Sequence, residues 1–184
     1  MKDSNSVRLT GSIFWSKLDE KQTYATLRLG VKLESGGSVF VTVNNPNTKA
    51  HDLVKAGNKV LIANGWFDTW DKPDGTSETQ IKANDSGVAF FPKEKVLAHL
   101  NHVSIIGKVL SYSGEDAIVE MWGDRNPKTD KPTIRKVKIK IGDSFKAEQI
   151  VNNKIILDGS VEAIEVEGKS KLVIAANYAT VTIV

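Results

Sequence analysis

The chain has 184 residues, of which 40% are hydrophobic and 26% are charged, and its formal net charge is +3 at pH 7. That composition is typical of a folded protein, and the length suits one large domain or two small ones. Cysteine is absent, which excludes disulfides, thiolate metal sites and cysteine nucleophiles. No apolar run approaches the roughly 18 residues of a membrane span, and the polar opening MKDSNSV has no signal-peptide core. We therefore expect a cytoplasmic protein that has no membrane partner.

The predominant local pattern is that of β-strands. Apolar and polar residues alternate with period two in segments that Gly, Asn and Asp separate. The predicted strands span 7–15, 23–32, 38–44, 59–70, 77–91 with a break near Asn84–Gly87, 102–112, 115–122, 134–141, 153–166 and 171–184. One helix is predicted over Asn47–Ala56, capped by Asn47 and Gly57. A short helical turn is predicted over Asp143–Ile150.

The order of these elements repeats along the chain. Each half is predicted to have three strands, a short helix and two further strands. Two sequence landmarks recur with them: Val7–Gly11 as Val103–Gly107, and Lys59–Gly65 as Lys154–Gly159. The offsets between the copies agree within a few residues, as a duplicated fold requires.

This element order is that of the OB-fold, a five-stranded Greek-key barrel whose second and third strands and neighbouring loops bind oligonucleotides. We therefore predict an all-β protein with two tandem five-stranded OB-fold barrels, each with a short helix between its third and fourth strands. The first barrel covers residues 1–92, the connector 93–101 and the second barrel 102–184. Apolar residues within the connector, Val96 among them, favour a packed helical turn over a floppy linker. The alternative is a single β-sandwich of ten strands, which the repeat and the helix in each half disfavour.

The first half resembles the bacterial single-stranded DNA-binding protein family. Four pieces carry the similarity in the family's order and spacing: Val7–Gly11, Ala50–Gly57, Lys59–Gly65 and Trp70–Gly75. The similarity covers residues 7–91, and the second half matches only in outline. It implies an OB-fold and single-stranded DNA as the partner.

Two features depart from that family. Its members usually end in a disordered acidic tail with a terminal Phe that recruits other proteins, whereas this sequence ends in the β-pattern Ala179–Val184. We therefore expect no partner recruitment through such a tail; a phage or plasmid version of the family is consistent with its absence. Members typically carry one barrel per chain and form tetramers. Two barrels in one chain reduce the need for assembly, so a homodimer and a monomer both stay open.

Strand phase places the candidate DNA-binding residues of the first half. In 23–32 and 38–44, alternate residues are apolar and predicted to face the core, which leaves aromatic rings and cations on the outer face. Bases stack on such rings for roughly 1–3 kcal/mol each, and Lys and Arg neutralise phosphates. The first-half candidates are Trp15, Tyr24, Arg28, Lys32, Phe40, Trp66, Trp70 and Lys72. We predict that Phe67 faces the core and that Gly65 supplies a β-bulge. The alternative for Tyr24 and Phe40 is packing under a loop or an oligomer interface.

The second half is predicted to offer one ring and a basic path. The strand 115–122 places Trp122 opposite its apolar face, and the following loop and strand are rich in cations. The second-half candidates are Trp122, Arg125, Lys128, Lys131, Arg135, Lys136, Lys138 and Lys140. The last three alternate with apolar residues and form a predicted outward row, here called the lysine row. The alternative for this row is protection of a strand edge against aggregation.

The sequence contains no recognisable catalytic constellation. His51, His99 and His102 lack metal-ligand spacing, and there is no Gly-rich phosphate loop. We therefore predict no enzymatic activity, no metal and no cofactor. The predicted function is that of a sequence-tolerant single-stranded DNA-binding protein that protects or organises DNA in replication or recombination. The alternatives are a tandem OB-fold protein-interaction module and an RNA-binding protein, since OB-folds bind either nucleic acid and nothing in the sequence identifies a contact to a 2′-hydroxyl.

Overall fold

A computed structural model describes most of the chain, and strands dominate it. The described residues are 2–20, 25–33, 36, 38–44, 51–71, 73, 77–126, 128–166, 169–176 and 180–184. The strands within them are β1 (Ser4–Leu18), β2 (Ala25–Lys32), β3 (Ser38–Asn44), β4 (Lys59–Asp71), β5 (Ser77–Ala83), β6 (Val88–Phe91), β7 (Asn101–Ser113), β8 (Asp116–Arg125), β9 (Pro132–Lys140), β10 (Lys154–Val166), β11 (Lys169–Ala175) and β12 (Val181–Ile183). The helical elements are short: 3-10 turns at His51–Leu53 and Asp85–Gly87, and α1 at Ala147–Ile150.

The strands of the first half, β1 to β6, close into a barrel. Strand β1 pairs with β2, β2 with β3, β3 with β5 in parallel and β5 with β4, and β4 returns to pair with β1. Strand β6 extends the sheet beyond β4. The inward face of this ring is apolar, with Leu27, Ile62, Phe67 and Ile81 fully buried. The core therefore lies inside a closed five-stranded barrel, as burial of one face of each strand requires.

The strands of the second half, β7 to β12, pair in the same order. Strand β7 pairs with β8, β8 with β9, β9 with β11 in parallel, β11 with β10, and β10 with β7. Strand β12 extends β10 as β6 extends β4. The buried side chains of this ring include Ile105, Val119, Ile139 and Leu157. The buried side chains of the two rings belong to one continuous apolar cluster.

The two halves meet along their first strands. Strands β1 and β7 pair antiparallel from Ser4 opposite Ile106 to Leu9 opposite Asn101. Val7 lies opposite Val103, its counterpart in the sequence repeat. A pseudo-two-fold axis therefore passes between two equivalent residues. All the strands join one sheet through this ladder.

A pair of equivalent asparagines stabilises this arrangement from both sides. The Asn5 side chain donates to the Phe67 carbonyl at 2.8 Å and accepts from the Phe67 N–H at 2.9 Å. Asn101 makes the same two bonds to Val161, both at 2.8 Å. Each amide thus satisfies one donor and one acceptor of the backbone next to the β1–β7 joint, where an unpaired buried group is costly.

The positions of several elements differ from the sequence predictions. Only His51–Leu53 of the predicted helix Asn47–Ala56 is helical, as a 3-10 turn; 54–56 are not helical, and 47–50 lie outside the described residues. Gly57 has φ +88°, the left-handed conformation that suits glycine at a helix end. The helical turn predicted from Asp143 is confined to α1.

The connector and the final strand also differ. The helical turn predicted in the connector is wrong, since 95–100 have no helical structure and Val96 is 86% exposed; Leu97 and Leu100 are nevertheless half-buried, and the Leu100 N–H donates to Thr10 Oγ1 at 2.9 Å. The Lys95 N–H donates to the Pro92 carbonyl at 3.0 Å, which makes a single turn there. The predicted strand 171–184 is two elements, β11 and β12, because its end turns back to pair with β10. The predicted break near Asn84–Gly87 is confirmed.

The strand phase predicted for β2, β3, β8 and β9 is confirmed at the residues whose side chains are described. In β2, Ala25, Leu27, Leu29 and Val31 are buried and alternate with less buried residues; Phe67 of β4 is also buried. The register of β1 against β4 shifts beside Gly65, where the bulge was predicted. No helix in the described ranges is long and apolar enough to cross a membrane.

Candidate nucleic-acid interface

A cleft of about 840 Å³ opens where the two halves meet. We call it the central cleft. Its lining combines strand ends from both halves with the loop after β8 and the start of β1: Lys2, Asp3, Ser4, Asn5, Trp66, Asn84, Met121, Trp122, Gly123, Arg125, Asn126, Lys128, Thr133 and Arg135. It brings together five of the residues that the sequence marked as DNA-binding candidates: Trp66, Trp122, Arg125, Lys128 and Arg135. Because these residues come from both halves, the cleft exists only when the halves are joined.

Trp66 supplies the first-half aromatic wall of the cleft. It lies on β4 opposite Lys82 of β5, and its side chain is half-buried. Its indole Nε1 is buried without a hydrogen-bond partner among the described residues. The half-buried ring therefore borders the cleft, while its indole N–H is covered by the protein.

Trp122 supplies the second-half wall and is 51% exposed. Its indole Nε1–H donates to Glu120 Oε1 at 2.8 Å, which fixes the ring from the neighbouring outward position of β8. Its backbone N–H donates to Asp3 Oδ2 at 2.8 Å. Its cross-strand partner on β9 is Ile134, which is also exposed. A fixed, exposed indole is the kind of surface on which a base stacks.

Arg135 crosses from β9 of the second half to β4 of the first. Its Nε donates to Asp68 Oδ1 at 3.3 Å, and Asp68 also pairs with Lys82 at 2.5 Å. A Cβ added to Gly123 would collide with Arg135 Nη1, so the glycine leaves room for the guanidinium. Asp68 and Arg135 are both largely buried, and this contact therefore connects the halves as well as placing a cation in the cleft.

The loop after β8 adds exposed cations to the same cleft. Arg125 pairs with Asp130 at 3.1 Å and also donates to the Asp130 carbonyl at 2.7 Å. The Lys128 backbone N–H donates to Asn126 Oδ1 at 2.9 Å, which shapes the turn. Lys128 and Lys131 are both exposed in this loop. Such side chains can follow a flexible phosphate chain.

A second cavity of about 420 Å³ adjoins the central cleft on the side of the second half. We call it the lysine cavity. It shares Lys2, Asp3 and Trp122 with the central cleft and adds Lys108, Asn152 and Lys154. Sequence reasoning did not select Lys2, Lys108 or Lys154 as binding residues. Lys154 occupies the place of Lys59 in the repeat, and that match indicates duplication and not binding.

The outer face of the first half presents a separate aromatic and cationic surface. Trp15 is 47% exposed and lies opposite Arg28 of β2, and Lys32 is exposed further along β2. The β1–β2 register shifts between Ile13 and Trp15, and Phe14 in this bulge is 64% exposed. Simple alternation predicts that neighbours on a strand face opposite ways, and for that reason Phe14 was missed.

The lysine row faces outward as predicted, but acids of the neighbouring β-hairpin accompany it. The pairs are Lys136–Glu120 at 4.0 Å, Lys138–Asp116 at 2.6 Å and Lys140–Glu115 at 2.5 Å. The hydrogen bond and the charge of Glu115 raise the pKa of Lys140 above its ordinary value. The positive charge of the row is therefore partly neutralised in the free protein, and any phosphate has to compete with these carboxylates.

Four candidates cannot be placed with their side chains. Tyr24 and Lys72 lie outside the described residues. Phe40 and Trp70 are described as backbone only: Phe40 lies opposite Gly30 on the β2–β3 ladder, and Trp70 opposite Glu78 on the β4–β5 ladder.

The strand order defines a closed five-stranded barrel of the OB type, and comparison with solved structures finds the same fold. The chain is similar to a deletion mutant of the single-stranded DNA-binding protein from Thermus aquaticus, with a TM-score of 0.56 and 16% sequence identity. The similarity covers 95% of this chain and 92% of that chain. No protein-family model matches the sequence, and no curated protein does. At this identity the similarity shows the fold.

Proposed function

We propose that this protein binds single-stranded DNA without sequence preference and without catalysis. The observation that carries the proposal is the central cleft, where Trp66 and Trp122 from different halves face a common space with Arg125, Lys128 and Arg135. Rings that stack on any base, combined with cations that neutralise phosphates, are what sequence-tolerant recognition of a single strand needs. The similarity of fold to a single-stranded DNA-binding protein supports the same conclusion.

We further propose that each half is one OB-fold, with boundaries at 1–92 and 102–184 and the connector 93–101 between them. The repeated strand order and the short helical element between the third and fourth strands of each half support this division. A strand would contact the outer face around Trp15 and Arg28, the central cleft and the basic loop after β8. Such a protein would protect or organise single strands in replication or recombination.

A titration of tryptophan fluorescence with poly-dT, poly-U and duplex DNA tests the proposed function. We expect strong quenching by poly-dT, which weakens steeply between about 50 and 300 mM NaCl because phosphate contacts release counterions. Duplex DNA should bind much more weakly, because its bases are not available for stacking. Equal affinity for duplex, or an affinity for poly-dT that salt leaves unchanged, would contradict the proposal. Tighter binding of poly-U would assign the protein to RNA.

A further inference from the structure

An acidic side chain lies among the cations of the proposed interface. Asp3 Oδ1 lies 2.5 Å from Lys154 Nζ, and Asp3 Oδ2 accepts the Trp122 backbone N–H at 2.8 Å. The Asp3 side chain is only 10% exposed. It lies where the central cleft and the lysine cavity meet, because it lines both. The carboxylate is thus held by one ammonium and one backbone donor between two open cavities.

The surroundings of this carboxylate are suited to an anion with more charge than Asp3 provides. Lys2, Lys108 and Lys154 line the lysine cavity, and Asp3 is the acidic residue among its lining residues. A backbone N–H and a lysine ammonium are the usual donors to phosphate oxygens. Trp122 lies at the same point, so a phosphate held there would place its base next to an exposed indole.

We propose that Trp122 N–H, Lys154 and Lys108 form a phosphate-binding site that the Asp3 carboxylate fills in the free protein. This inference rests on the proposed function, since the phosphate is that of a bound single strand. On binding, a phosphate takes the place of the carboxylate and Asp3 moves away. Asp3 precedes β1, whose ladder to β7 starts at Ser4, so its movement breaks no strand pairing. Asp3 is therefore an internal competitor that lowers the affinity for the strand.

The test compares Asp3→Asn with a charge-matched control, Glu94→Gln. Glu94 is exposed in the connector and lines neither cavity. We expect Asp3→Asn to tighten oligo-dT binding by roughly three- to tenfold at low salt, because the carboxylate no longer competes for Lys154. Glu94→Gln should change it little. Equal changes in the two variants, or weaker binding by Asp3→Asn, would overturn the inference.

Making the same substitution in a Lys154→Met protein distinguishes competition of Asp3 for Lys154 from a general gain of positive charge. In a Lys154→Met protein, Asp3→Asn should gain much less affinity than it gains in the parent, since the lysine that it releases is gone. The same gain in both backgrounds would show that Asp3 does not act through Lys154. Circular dichroism of each variant, compared with the parent, shows that the fold is kept.

Inorganic phosphate provides a probe that does not depend on DNA binding. The backbone amide signal of Trp122, followed by NMR, should respond to phosphate at a lower concentration in Asp3→Asn than in the parent. If this response appears but neither the parent nor Asp3→Asn binds oligo-dT, the phosphate site stands and the proposed function fails. If oligo-dT binds but Asp3→Asn behaves as Glu94→Gln, the proposed function stands and the phosphate site fails. An amide signal that phosphate moves in neither protein counts against the site.

Discussion

Trp122 lines both cavities, and its exposed ring is fixed by Glu120. We predict that Trp122→Ala weakens oligo-dT binding by roughly 1–3 kcal/mol, the usual contribution of one base stacked on an aromatic ring. The dependence of the affinity on salt should stay unchanged, since the cations that bind phosphates are all still present. Fluorescence anisotropy of a labelled oligo-dT at several salt concentrations measures both quantities.

Ile134 provides the matched control for that substitution. It is the cross-strand partner of Trp122 and is exposed to a similar extent. Ile134→Ala removes apolar surface without removing a ring, so the affinity should change little. A loss as large as that of Trp122→Ala would show that the face is simply hydrophobic, which would favour the protein-interaction alternative.

The asparagines beside the β1–β7 joint make equivalent bonds in different environments. Asn101 is buried, whereas Asn5 is half-buried. We predict that Asn101→Ala lowers the free energy of unfolding by about 2 kcal/mol or more, because it leaves the Val161 N–H and C=O unpaired in the interior. Asn5→Ala should lower the free energy of unfolding by about half as much, since water can reach the Phe67 N–H and C=O that this substitution leaves unpaired.

Urea unfolding of the two single variants measures these costs. The order of the two values is the informative result. A larger loss for Asn5→Ala would mean that the β4 side of the joint, and not the β10 side, is the one that water cannot enter.

At the scale of elements, β9 carries the lysine row, and β8 with the turn before it carries the accompanying acids. We predict that replacing Lys136, Lys138 and Lys140 together with Ala weakens oligo-dT binding. The salt slope should fall by up to about 0.7 for each phosphate that the variant no longer neutralises. Replacing Glu115 and Glu120 with Gln, and Asp116 with Asn, should strengthen binding, because the same lysines then meet no competing carboxylate.

The two triple variants therefore act as controls for one another. Binding measured against salt concentration should move in opposite directions for them. If both kept the affinity and slope of the parent, this face would lie outside the DNA path. Its paired charges would then be better explained by protection of the sheet surface against association.

At the scale of the whole molecule, the β1–β7 ladder and the Asp68–Arg135 contact join the halves. We predict that the protein unfolds in a single cooperative transition, because neither half can unfold without breaking this shared ladder. Tryptophans report on both halves, with Trp15, Trp66 and Trp70 in the first and Trp122 in the second.

Fluorine NMR of protein labelled with 5-fluorotryptophan follows each of these rings separately. All native signals should disappear at the same urea concentration. Loss of the Trp122 signal before those of the first half would show that the second half unfolds alone and would count against a cooperative joint.

The sequence by itself determined which side of each strand faces the core. Burial follows a period of two that neighbouring residues set, so the inward positions of β2, β8 and β9 could be predicted from alternation alone. The duplication could also be predicted, since Val7–Gly11 and Val103–Gly107 keep their spacing. The tryptophans and cations could be selected as candidates from the sequence as well, because stacking on a base and pairing with a phosphate are properties of the residue type.

Only the tertiary structure decided which of these candidates meet. Arg135 contacts Asp68 across 67 residues, and Asp3 contacts Trp122 across 119. These contacts depend on how each ring closes and on the register of β1 against β7, and alternation along one strand carries no information about either. The same reason explains why the carboxylates beside the lysine row and the exposed Phe14 were not foreseen: cross-strand partners and bulges are set by pairing between strands that local sequence does not specify.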